Sequence, residues 1–129
     1  MRKFHLIFGV VVLIVFALTG QYMHWFYNHL YGMENFPRIL FRSRHIYILL
    51  AGLVNVGIGI YFNYWYARWR KRLQIIGSVL ILLSPVFLIA AFFYETAHVT
   101  FDTPFSRLGL FSIFGGVLLH LIAGWGTVK

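Results

Sequence analysis

The sequence predicts an all-α fold: an integral membrane four-helix bundle running up-down-up-down, with the N and C termini on the cytoplasmic side. Three observations carry this. Of 129 residues, 60% are hydrophobic and only 11% charged, and the mean hydropathy of +0.78 lies far above that of a soluble domain. Four apolar windows reach the roughly 20 residues that a helix needs to cross about 30 Å of hydrocarbon. Lys and Arg gather at the ends of these windows, where headgroups and insertion machinery read them.

The first window runs from Phe4 to Tyr27 behind Met1-Arg2-Lys3. Such a start resembles a secretory signal, but the run continues through aromatic residues without a small-x-small site, so it is read as the first span. The second window, Arg44 to Tyr66, follows a break containing Gly32, Asn35 and Pro37. Basic Ala67-Arg68-Trp69-Arg70-Lys71-Arg72 then makes a short helical hairpin into the third window, Leu73 to Tyr94, where Pro85 predicts a kink. Asp102-Thr103-Pro104 places a capping residue before a proline suited to a first turn, so the fourth span, Pro104 to Trp125, starts there. None of the four runs alternates as barrel strands do, and in lipid each must pair its own backbone groups as a helix. The whole chain, 1–129, reads as one transmembrane domain.

Orientation follows from counting cations. Arg2, Lys3, Arg68, Arg70, Lys71, Arg72 and Lys129 fall on one side, against Arg38, Arg42, Arg44 and Arg107 on the other. The richer side is expected in the cytoplasm. Tyr22, Trp25, Phe26 and Tyr27 at one end, and Tyr61, Tyr64, Trp65, Tyr66 and Trp69 at the other, form the aromatic belts. The expected location is a bacterial inner membrane.

Composition also excludes chemistry. The net charge of +8 belongs to helix ends and leaves no basic groove for nucleic acid. Zero cysteines rule out disulfides, thiolate zinc sites, iron–sulfur clusters and thioether attachment of haem. The sequence contains no phosphate-cradling loop, no metalloprotease pair and no defensible Ser/His/Asp set. At most the chain is a redox carrier.

Six histidines in so apolar a chain ask for partners or a role. His24, His29, His45 and His98 fall at the outer ends of the spans, with Glu34, Glu95, Asp102 and the four outer arginines; His5 and His120 belong to the inner half. On the second helix His45 shares a stripe with Leu49, Gly52, Val56 and Gly59, and on the first Gly20 precedes His24 by one turn. Gly77, Ser84, Ala91 and His98 recur every seventh residue on the third, and Gly109, Gly116, His120 and Gly124 lie near one another on the fourth. Small residues at such positions pack membrane helices, and an imidazole among them can simply bond across the bundle. They can equally leave room for a flat porphyrin whose iron takes two imidazoles from facing helices.

On the second view His24 and His45 are the expected haem b ligands, His98 competes for either place, and Gly20 and Gly52 supply room. His5 and His120 form a second, weaker site. Arg44, beside His45, is the arginine expected to fork onto a propionate or a quinone oxygen. Direct copper or zinc binding would draw on His24, His29, His45, His98, Met23, Met33 and Glu95. The plan of four spans with histidines near helix ends resembles small b-type cytochrome membrane subunits, which implies electron transfer, with quinone and redox proteins as partners. A non-catalytic accessory or assembly subunit of a larger complex, or a homo-oligomer, fits the same residues. Asn55 and Asn63 are expected to bridge helices, Ser84 and Ser112 to bond within their own.

Overall fold

The computed structural model describes residues 1–63, 67–99 and 101–125. It is all-helical: α1 spans Arg2–Tyr27, α2 Asn35–Tyr61, α3 Arg68–His98 and α4 Pro104–Gly124, with a short 3₁₀ turn, Asn28–Leu30, after α1. All four helices are long and apolar enough to cross a membrane. Large apolar side chains such as Ile7, Leu18, Phe111 and Phe114 stand exposed on α1 and α4, a surface suited to lipid tails rather than water.

α1, α2 and α3 begin before their apolar windows and α3 also ends beyond its own, whereas α2 stops at Tyr61, short of the expected Tyr66. α2 starts at Asn35 rather than Arg44, because Pro37 falls within its first turn, where backbone N–H groups have no partner to lose. Tyr64, Trp65 and Tyr66 lie outside the described residues. α3 takes in the basic hairpin from Arg68 and runs on to His98. α4 begins at Pro104, as the Asp-Thr-Pro sequence predicts.

α2 and α3 occupy the middle, with α1 packed on α2 and α4 on α3. The core gathers Val12, Ile48, Leu88, Phe92 and Ile113 between them. Close approach depends on missing side chains. A Cβ on Gly59 would lie 2.6 Å from the Leu6 backbone nitrogen, and one on Gly116 2.7 Å from the Gly77 carbonyl oxygen. Small residues thus let backbones touch where lipid gives no hydrophobic drive to hold helices together.

α3 continues through Pro85 because side chains, one of its own and one from α2, meet its open acceptor. Proline has no N–H to offer the carbonyl four residues back, that of Ile81. Ser84 Oγ donates to the Ile81 oxygen at 2.8 Å and Asn55 Nδ2, from α2, at 3.2 Å. Asn55 also donates to Ala51 at 2.9 Å. One amide therefore ties α2 to the weak point of α3.

Candidate functional site: membrane histidines and a buried ion pair

His45 lies half-buried on the α1-facing side of α2. Thr19 on α1 gives its hydroxyl hydrogen to the Phe16 carbonyl at 2.8 Å, so its oxygen is left to accept from His45 Nδ1 at 2.9 Å. This fixes the proton on Nδ1 and leaves Nε2 with its lone pair free. Phe16 stacks on the ring at 4.1 Å between centroids. A Cβ on Gly20 would come within 3.3 Å of His45 Cε1, so Gly20 is what lets the imidazole rest against α1.

That contact changes the meaning of the glycines. The room at Gly20 is taken by His45 itself, and the room at Gly52 by Leu13, whose Cδ2 would lie 2.8 Å from an added Cβ. Neither holds open a slot for a porphyrin between the helices. His45 keeps its Nε2 clear of the Thr19 bond, while the glycines beside it serve packing.

The other three imidazoles of that end point elsewhere. α1 stops at Tyr27, and Asn28, His29 and Leu30 turn back with φ of 45°, 55° and 64°. This reversal stacks exposed His29 on exposed His24 with centroids 3.9 Å apart. On a continuous helix the two would diverge. His98, the last residue of α3, is exposed beside Tyr94, whose carbonyl accepts from its Nδ1 at 2.9 Å. Of this group only His45 reaches the interior.

Between α2, α3 and α4 lies a buried ion pair. Arg44 Nε donates to Glu95 Oε2 at 2.9 Å, and Arg44 Nη1 to Ser43 Oγ at 2.8 Å. The same carboxylate accepts the Ser106 backbone N–H at 2.9 Å on Oε1 and the Ser106 hydroxyl at 2.6 Å on Oε2. Ser106 belongs to the first turn of α4, so Glu95 caps that helix from its neighbour. Arg44 is thereby engaged with protein.

His5 and His120 are brought near each other at the opposite end, on either side of the Phe62 ring at 6.4 and 5.4 Å. Asn55 uses its amide hydrogens on carbonyls, so its oxygen accepts from His5 Nδ1 at 2.9 Å. His5 Nε2 is buried with no partner among the described residues. His120 Nε2 pairs with Ser78 Oγ at 3.1 Å. The sequence placed both imidazoles in the inner half as a second, weaker site; their common contact with Phe62 was not legible there.

Two cavities open near the helix ends, and neither touches His24, His45 or His98. One of about 250 Å³ lies beside His120, Gln74 and Phe62. One of about 350 Å³ is lined by His29, Leu30, Tyr31, Gly32, Arg38 and Arg42. Among the described residues no three His, Asp or Glu side chains gather around a common metal position. Comparison with protein families, curated proteins and solved structures gives no match.

Proposed function

We propose that the chain is an integral protein of a bacterial inner membrane, up-down-up-down, with both termini and the α2–α3 connection cytoplasmic. Its proposed work is electron transfer as a small b-type haem subunit, with quinone or a redox protein as partner. The observation that carries this is His45: an interior imidazole held through Nδ1–H by Thr19, with Nε2 left as a free base. Metal-bound histidines are oriented in this way by a second hydrogen bond. His24 is the proposed second ligand, at the same end of α1; it stands five residues beyond Thr19, about 7.5 Å of rise and about 140° around the helix, so its ring must leave His29 to serve. Purified protein should then show a Soret band that shifts on dithionite reduction and vanishes in His45→Ala. A colourless preparation from haem-replete cells removes the reading.

The alternative, a non-catalytic accessory or assembly subunit, is favoured by Arg44, Glu95 and Ser106. Their polar atoms serve one another across three helices, which suits a scaffold. On this view a fixed partner copurifies in stoichiometric amount, and His45→Ala leaves that association intact.

A further inference from the structure

We propose that the cavity beneath the α1–α2 turn binds a phosphate oxyanion, carried by an anionic lipid headgroup. The cavity, about 350 Å³, is walled by Arg38 and Arg42, one turn apart on α2, and by His29, Leu30, Tyr31 and Gly32. Among the described residues no acid forms an ion pair with either cation. Glu34 forms no ion pair with either arginine, and Arg42 has no hydrogen-bond or ion-pair partner among the described residues.

Arg38 is partly committed and partly open. One Nη donates to the Met33 carbonyl, which fixes the guanidinium, while its Nε is buried with no acceptor among the described residues. A buried donor without an acceptor is unfavourable, so the guanidinium that lines the cavity has donor capacity left over. Guanidinium groups present planar, forked donors that match phosphate. The left-handed run Asn28 to Leu30 holds His29 at the rim, backed by the His24 ring. Left-handed backbone at three successive non-glycine residues persists only where its surroundings hold it.

Position favours a lipid as the source. Trp25, Phe26 and Tyr31 stand largely exposed around the turn, as aromatic residues do at headgroup depth. A diester phosphate at that level meets the arginines without leaving the bilayer. The inference stands apart from the haem reading, since no cavity residue is a ligand in it.

The test uses full-length protein in neutral detergent, titrated with phosphatidylglycerol and read by native mass spectrometry. Wild type should retain one lipid, and Arg42→Gln should weaken retention about fivefold, the effect of one cation near an anionic headgroup. Arg38→Gln should weaken it at least as much. Arg72→Gln, the same charge change at the far end, should leave it unaltered. Thermal unfolding without lipid checks that the variants are folded; Arg42 is exposed and makes no contacts to lose. Excess inorganic phosphate that fails to displace the lipid supports the headgroup; displacement supports the oxyanion site and assigns it to free phosphate. Equal weakening by Arg42→Gln and Arg72→Gln, or none by Arg42→Gln, overturns the proposal.

Discussion

Arg44 Nε meets Glu95 Oε2 at 2.9 Å with only 8% and 1% of the two side chains exposed, and these residues stand 51 positions apart in the chain. Removing one partner strands the other charge in a medium that cannot solvate it. Glu95→Gln is therefore expected to destabilise the fold by about 3–5 kcal/mol, whereas the double change Arg44→Met with Glu95→Leu should recover most of that loss. Detergent-driven unfolding followed by circular dichroism measures both. A Glu95→Gln protein as stable as wild type would show that the pair does not anchor the bundle.

Glycine positions divide sharply. Gly116→Ala would set a methyl group 2.7 Å from the Gly77 carbonyl oxygen and 2.6 Å from Ile81 Cγ1, so α3 and α4 must part, at about 1–3 kcal/mol. Gly57→Ala meets nothing within 4 Å and should gain up to about 1 kcal/mol from helix propensity alone. The two unfolding midpoints should move in opposite directions; matching shifts would contradict the packing described.

Asn55 and Pro85 should be energetically coupled. Asn55→Leu takes a donor from the Ile81 carbonyl, at about 0.6–2 kcal/mol. In a Pro85→Ala background α3 can supply its own N–H, and the cost of Asn55→Leu should shrink. A double-mutant cycle reads the coupling, and strict additivity would separate the two residues.

The native chain lacks cysteine, so single cysteines report orientation without background. With a membrane-impermeant maleimide on intact spheroplasts, Tyr31→Cys should label at once and Lys71→Cys only after permeabilisation. The reverse pattern inverts the topology.

Thr19→Val tests the haem reading at its support rather than at its ligand. It removes the acceptor that orients His45, and second-shell losses of this kind lower metal-group affinity about 10–100-fold. Haem content per protein should fall while helicity is kept. Unchanged haem content would mean that Thr19 plays no part in holding it.

The helices were legible because apolar runs of this length have one solution in lipid. What the apolar windows missed were the polar extensions, Asn35 to Ser43 and Arg68 to Arg72, which are helical though not hydrophobic. Among the histidines, depth could be read but direction around the helix axis could not. Thr19 and His45 belong to different helices, and their contact depends on rotation that no periodicity states. The stacking of His24 on His29 needed a left-handed turn at three residues without glycine, for which the sequence gives no signal. Glu95 was visible as an outer-side acid and a possible metal ligand, but its helix, its arginine and its serine meet only in three dimensions.

The Ile81 carbonyl also bears on how the chain enters the bilayer. α3 meets that acceptor by itself only through the Ser84 hydroxyl, and its second lone pair waits for a donor from α2. In synthesis by chain order α2 emerges first, so Asn55 is available when Pro85 arrives. A split gene delivering α3 and α4 ahead of α1 and α2 would leave the Ile81 carbonyl with Ser84 alone until its amide arrived.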